Sequence, residues 1–412
     1  MNIGFVGLGK LGFPCAVAAA QRGHTVWGYD PAPHIEELIR TGKVVHSDEP
    51  GIQAAYDAIK DKIRFCNLYE VARSSELIFV AVQTPSGTSE NEPYEGAHSD
   101  FNYTYLKRAC RDLAAEMKKA HAAGESKCPT VVIVSTVLPT TTRKQILPPM
   151  ERAFRRNGDG WRLVYSPSFI AQSTVVRDYE APEFALLGSE LADGAPTYER
   201  YLRSIHQAPI LHMSWESAEL AKCLYNTALG LKIMVANTAA HLAYSIDHCN
   251  PRDVMGAISL AKHRITSPAY YRPGMGDGGP CHQKDALALA NLCEQRGLRY
   301  NPFDFMLRAR EEYSRFLAWQ AQIMRAGRPV LILGVAFKPD TTQTVASPSM
   351  LLARHLTDLG VPLLYWDPLI PGMDQPIPDE PVFAIAAHPG IHNTITLPEG
   401  SEVLDPWFGW AP

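Results

Sequence analysis

Ile3-Gly4-Phe5-Val6-Gly7-Leu8-Gly9-Lys10-Leu11-Gly12 opens the chain with a short apolar run that breaks into three spaced glycines. Ala16–Arg22 then reads as helix, and His24-Thr25-Val26-Trp27-Gly28-Tyr29-Asp30 as a second strand ending in an acid. Strand, glycine turn, helix and strand, with an acid about 20 residues after the glycines, form the dinucleotide fingerprint in its required context. The first glycine permits the tight turn, the second lets a pyrophosphate approach the backbone, and the third lets helix and strand pack. Gly7, Gly9 and Gly12, with Lys10 and Leu11 between them, are thereby assigned to a cofactor loop. Asp30 would accept hydrogen bonds from the adenosine ribose and repel a 2′-phosphate, so NAD is expected rather than NADP. The plainer alternative is a βαβ turn that holds no phosphate.

Further strands alternate with helices. Leu77–Val82 ends in Gln83-Thr84-Pro85-Ser86, and Thr130–Val134 ends in Ser135-Thr136-Val137. Both are apolar runs of the buried type, with polar residues at the carboxyl ends, where open α/β sheets place their ligands. Thr84, Pro85, Ser135 and Thr136 are therefore candidate cofactor contacts. The segment from Ser86 to Phe101 reads as a polar loop, Tyr103–His121 as a helix, and Leu163–Tyr165 and Phe184–Leu187 as the last strands of this half.

From Ser214 the pattern becomes one long helix, with Ser214 as N-cap and an apolar period of about 3.6 running to Ile246. Lys222 and Asn226 lie four apart on one face; read from the helix alone, that pair is a solvated surface. Asp247–Leu260 reads as a second helix. Then comes Arg272-Pro-Gly-Met-Gly-Asp-Gly-Gly-Pro-Cys281-His-Gln-Lys284-Asp285. Glycines at this density let the backbone approach a ligand closely. A cysteine at the start of the next helix sits where N–H groups and the helix dipole favour a thiolate. The competing reading is a glycine turn followed by an ordinary buried cysteine. Neighbouring His282 diverges from it on the helix, so a polar contact is expected there rather than a proton relay.

A second α/β unit follows, with strands at Pro329–Gly334 and Val361–Trp366 and a helix at Ser349–Leu359. It has no three-glycine turn, so its ligand need not be a dinucleotide. The fold class is α/β: two Rossmann-like doubly wound domains joined by a long-helix central domain. The expected boundaries are 1–200 for the NAD-binding domain, 201–312 for the central domain with the cysteine loop, and 313–412 for a nucleotide-sugar-binding domain.

Composition adds exclusions. The 412 residues are 46% hydrophobic and 20% charged, ordinary for a multidomain globular protein. A net charge of −4 gives no reason to expect nucleic acid or an anionic membrane as partner. Eight cysteines without metal-ligand spacing point to reduced thiols, a cytoplasmic setting and no metal site. No apolar run approaches the roughly 18 residues of a membrane span.

Taken together, the motifs resemble the UDP-glucose/GDP-mannose dehydrogenase family over nearly the whole chain. The markers are Gly7-x-Gly9-x-x-Gly12, Thr84-Pro85, Ser135-Thr136-Val137, Pro167 with Phe169, and Glu219-Leu-x-Lys222-x-x-x-Asn226. They continue with Gly278-Gly-Pro-Cys281-x-x-Lys284-Asp285, Gly334-x-x-Phe337-Lys338 and Ser347-Pro348. The resemblance implies NAD-dependent, four-electron oxidation of the primary alcohol of a nucleotide sugar, a UDP-sugar being favoured. Cys281 would carry a thiohemiacetal and then a thioester, and Lys222 and Asn226 would hold the developing oxyanion. Thr136 and Asp285 would hold the water. It also implies cofactor contacts at Gln172 and Lys284. Substrate contacts are implied at Ser168, Phe169, Ile170, Gln172, Lys222, Asn226, Arg264, Arg272, Gly274, Gly278, Phe337 and Lys338. The long helix resembles the family's dimer-forming element, so a homodimer is expected.

Departures accompany the match. The family's glutamate after the proline is Ser168 here, and a second acid is Gln172; neither titrates near neutral pH. The family's Arg-Glu before Ser-Pro is Val345-Ala346, which removes a cation. Asp285, directly or through a water, is the expected substitute for the missing acid. Two further readings follow: a two-electron enzyme that releases an aldehyde or passes its thioester to another nucleophile, and a sugar-nucleotide-binding protein with little catalysis.

Overall fold

The computed structural model describes residues 1–45, 47–85, 98–267, 273–279 and 281–409. Two compact units divide at Gly230/Leu231, within one helix. The first holds an eight-stranded sheet: β1 (Asn2–Val6), β2 (Thr25–Tyr29), β3 (Ile63–Phe65), β4 (Leu77–Val80), β5 (Thr130–Ile133), β6 (Arg162–Tyr165), β7 (Ala185–Gly188) and β8 (Ile210–Met213). Its order is β3-β2-β1-β4-β5-β6-β7-β8. Pairing is parallel from β3 through β6; β7 turns antiparallel to β6 through the Tyr165–Gly188 pair, and β8 runs parallel to β7.

The apolar runs read from the sequence are the central strands. Residues 77–80 and 130–133 are buried throughout, as expected where helices cover both faces of a parallel sheet. The helix Gly12–Gln21 buries nine of its ten residues against that sheet, its alanines allowing close approach. Chain order reverses between β1 and β4, so the carboxyl ends of these strands frame the crevice in which such sheets bind ligands. Gly7, Thr84 and Ser135–Thr136 all lie at that edge.

The helix Trp215–Tyr244 is the longest element, 30 residues. Ser214 caps it by accepting from the Ser217 N–H at 3.2 Å, as the sequence indicates. Its first turns are anchored by Trp215 and Ala218, both buried in the core on one side of the large sheet.

In the second unit, β9 (Val330–Leu333), β10 (Leu363–Trp366), β11 (Phe383–Ala386) and β12 (Glu402–Leu404) form a parallel sheet of order β10-β9-β11-β12. It repeats the local geometry of the first. Gly334 follows β9 with φ +90° and donates to Trp366 O, as Gly7 follows β1 with φ +97° and donates to Tyr29 O. Asp367 follows β10 as Asp30 follows β2. The two acids differ in surroundings: Asp367 is 4% exposed and accepts from the N–H groups of Val335, Ala336 and Leu369. Asp30 is only half-buried and accepts from Leu8 and Ala32. The second acid thus closes its own turn, whereas the first keeps a face open.

Candidate active site

The first unit carries a cofactor crevice with the properties an NAD molecule needs. A Cβ on Gly7 would stand 2.5 Å from Ala81 O, and one on Gly12 would stand 2.0 Å from Gly7 O, so both positions exclude any side chain. A Cβ on Gly9 would meet nothing within 4 Å. The middle glycine therefore faces open space at the start of the helix Gly12–Gln21, where N–H groups and the helix dipole favour phosphate. Thr84 Oγ1 donates to Thr136 O at 2.7 Å and Ser135 Oγ donates to Val82 O at 2.5 Å, tying the ends of β4 and β5 together. Lys10 lies in the loop, but its ammonium pairs with Asp48 at 2.7 Å.

A second feature of this unit is an open cleft of about 360 Å³ between the segment after β6 and the long helix. Phe169, Ile170, Phe184, Lys222, Tyr225 and Asn226 are among its lining residues. The rings of Phe169, Phe184 and Tyr225 pack together, with Phe169 4.8 Å from Phe184 and 4.7 Å from Tyr225. Lys222 lies over the Phe169 ring at 4.9 Å and donates to Ser168 O at 2.6 Å. The helix alone reads as presenting a solvated Lys222/Asn226 pair. In the fold Lys222 is only 7% exposed while Asn226 stays exposed, because the 168–171 segment covers the lysine stem. Burial holds the Lys222 ammonium below its usual pKa. A desolvated cation of this kind stabilises a developing oxyanion more strongly than a solvated one does. Gln172 is exposed and is not part of the cleft lining.

Glu219, part of the same helical motif, has a structural role that its sequence position does not reveal. It is fully buried and accepts from Thr140 N at 2.6 Å and Thr142 N at 2.7 Å. It thereby locks the helix to the turn that follows Thr136. Burial raises its carboxyl pKa, partly offset by the hydrogen bonds from Thr142 and Thr140.

The cysteine loop belongs to the second unit. Cys281 is exposed and immediately precedes the helix His282–Gln295, the position expected from the sequence. Lys284 and Asp285 in its first turn form an exposed pair at 3.8 Å. The loop is pressed against the α/β part of this unit. A Cβ on Gly278 would stand 2.6 Å from Pro348, on Gly279 2.7 Å from the Phe337 ring, and on Gly274 2.4 Å from Trp407. The glycines are needed here for packing against protein. Arg310, on the helix Pro302–Met324, fastens the contact. It donates to Asp277 O and to Ala346 O, both at 2.9 Å, and its side chain is 9% exposed. Nothing in the local sequence distinguishes Arg310 from the other arginines of that helix. Lys338 lies over the Phe337 ring at 5.4 Å, Arg264 is exposed, and Arg272 lies outside the described residues.

Comparison with known proteins gives a consistent picture. The sequence profile described as UDP-glucose/GDP-mannose dehydrogenase family, NAD binding domain, matches residues 1–208, and that of the family's central domain matches residues 216–311. A GDP-mannose 6-dehydrogenase of Pseudomonas putida is 28% identical over 373 residues, covering 89% of this chain and 81% of that protein. A UDP-glucose 6-dehydrogenase of Rhizobium meliloti is 25% identical over 403 residues, covering 91% and 85%. Among solved structures, a ternary complex of GDP-mannose dehydrogenase from Pseudomonas aeruginosa superposes with a TM-score of 0.85 at 25% identity, covering 98% of this chain and 96% of that one.

Proposed function

We propose that this chain, which belongs to the UDP-glucose/GDP-mannose dehydrogenase family, oxidises the C6 primary alcohol of a nucleotide sugar to the uronic acid. The observation that carries the reading is the desolvated Lys222 ammonium in a cleft beside Asn226, on the same unit as the NAD crevice. NAD, when bound, takes up the hydride of each oxidation. Lys222 and Asn226 hold the oxygen of the reacting carbon as charge builds on it, a donor of this kind being worth roughly 10²–10³ in rate. Cys281 adds to the aldehyde as thiolate, giving a thiohemiacetal; its oxidation leaves a thioester, which water cleaves to acid and free thiol. Thr136 and Asp285 are assigned to that water. Thr84, Pro85, Ser135 and Lys284 are assigned to the cofactor, and Arg264, Arg272, Phe337 and Lys338 to the nucleotide sugar. Cys281 and the cleft lie in different units, and their action on one carbon is part of the proposal, supported by the family's motif order.

The division into domains at 1–200, 201–312 and 313–412 and the homodimer belong to the same reading. Leu224, Leu231, Ile233 and Val235 are exposed on the long helix, the kind of surface a second copy would cover. Relatives named for GDP-mannose and for UDP-glucose both match this chain, which supports a UDP- or GDP-linked sugar as the substrate. A second reading, two-electron oxidation to an aldehyde, is favoured by Ser168 and Gln172, which do not titrate near neutral pH where the family resemblance implies acids.

The test is NADH formed per sugar consumed, over UDP-, GDP- and TDP-hexoses, with Cys281→Ser alongside. Two NADH and a free acid, reduced to at most one NADH in C281S, are expected. One NADH with aldehyde released by the unsubstituted enzyme would establish the two-electron reading. No NADH from any substrate that binds would overturn both.

A further inference from the structure

Oxidising an alcohol releases a proton as well as a hydride, and the proton needs an acceptor beside the reacting oxygen. Residue 168, directly after Pro167, is a serine and offers no carboxylate for this. Four titratable side chains line the cleft: Asp178, Glu183, Lys222 and Tyr225. Asp178 is already engaged. Its Oδ2 accepts from Ala171 N at 3.1 Å and Thr174 Oγ1 at 2.7 Å, and its Oδ1 accepts from the Arg177 guanidinium. Burial pushes its carboxyl up, but those hydrogen bonds and Arg177 outweigh burial and bring it below its usual value. Lys222 as ammonium has no site for another proton; one of its three N–H groups donates to Ser168 O and the others remain for the reacting oxygen. Tyr225 contributes its ring, packed on Phe169.

Glu183 is different. It is exposed to the cleft from the segment that leads into β7, and among the described residues it has no hydrogen bond or ion pair. Glu183 and Lys222 line the same cleft, and Phe184, the chain neighbour of Glu183, packs on Phe169, the ring beneath the Lys222 ammonium. We propose that Glu183 is the proton acceptor of this cleft. The inference rests on the dehydrogenase reading above. In the first oxidation the C6–H electron pair leaves as hydride to bound NAD, the O–H bond breaks, and its proton passes to a Glu183 carboxylate oxygen as the carbonyl forms. The carbon loses two electrons, the nicotinamide gains them, and Glu183 returns the proton to solvent through the open cleft. This gives the first step a base from the same unit as Lys222, with Asp285 left to the later water.

The test compares Glu183→Gln and Glu183→Asp with the unsubstituted enzyme on the nucleotide sugar that gives most NADH. E183Q is expected to lower kcat by about 10²–10⁴, with little change in KM, and to remove the acidic limb of the kcat–pH profile; E183D retains that limb. A readout without cofactor accompanies it: carbodiimide-driven labelling of Glu183 with glycine ethyl ester, followed by mass spectrometry, is expected to slow when the nucleotide sugar is bound. If E183Q keeps both kcat and the acidic limb while the unsubstituted enzyme makes NADH, the assignment of Glu183 is overturned and the dehydrogenase reading stands. Labelling that bound sugar nucleotide does not slow also overturns it. If the unsubstituted enzyme makes no NADH, the dehydrogenase reading fails and takes this inference with it.

Discussion

Arg310→Met is expected to release the glycine-rich loop from the sheet it rests on while leaving that sheet folded. The methionine keeps most of the aliphatic stem's packing but removes both guanidinium hydrogen bonds, to Asp277 O and Ala346 O, and the 3.5 Å ion pair with Asp277. A hydrogen bond from a charged donor contributes about 1.5–3 kcal/mol. Asp277 is exposed, so water replaces its lost partner and the lower end of the range applies. The two bonds together then give about 3 kcal/mol, which multiplies the open fraction of the loop by about 10². Amide hydrogen exchange reads this directly: protection at residues 273–279 should fall by about 100-fold, while β9 and β11 exchange as before. Arg310→Lys should fall between the two, because one ammonium cannot satisfy both carbonyls as a planar fork does. In the proposed reaction, R310M should also slow the Cys281-dependent second oxidation more than the first. Exchange at 273–279 within about threefold of the unsubstituted protein would refute the reasoning, since the loop would then be held by its glycine contacts and the buried Met275.

Three further outcomes are expected. Gly9→Ala should fold with unchanged stability and lose NAD affinity, since its methyl group enters the open crevice, whereas Gly7→Ala should not fold normally, since its methyl group meets Ala81 O at positive φ; calorimetric NAD titration beside thermal unfolding separates them. Glu219→Gln should destabilise the first unit by about 1–3 kcal/mol, because one amide oxygen cannot serve both Thr140 N and Thr142 N; urea unfolding measures this. The third concerns Lys222, whose pKa burial lowers from the usual 10.5, so between the lowered value and 10.5 the unfolded chain binds more protons than the folded one. Stability should therefore rise with pH through that window on account of Lys222, and Lys222→Met should remove this component of the slope, as read from urea midpoints at stepped alkaline pH.

Sequence by itself determined the elements whose residues carry their own local reason. Gly7, Gly9, Gly12 and Asp30 declare a phosphate turn because each residue meets a backbone requirement within one strand–helix–strand unit, and the structure places them as that unit demands. The apolar runs Leu77–Val82 and Thr130–Val134 declare buried parallel strands by their lack of alternation, and the strands span Leu77–Val80 and Thr130–Ile133. The short strands β3 and β8 carry no such run, since they lie at the sheet edges and only one of their seven residues, Ile63, is buried. Tertiary structure decided what depends on partners distant in the chain. Lys222 reads as a surface residue on its own helix and becomes a desolvated cation only when residues 168–171 cover it. Glu219 gains its role from Thr140 and Thr142, nearly 80 residues away, and Arg310 from Asp277 and Ala346, more than 30 away. Asp30 and Asp367 end equivalent strands, yet only the first keeps a face toward solvent, because the second spends its oxygens on three backbone N–H groups. A periodic pattern records which face of an element is buried; the partner that buries it, and so the electrostatic state of a lysine or glutamate on that face, is set by the folded chain alone.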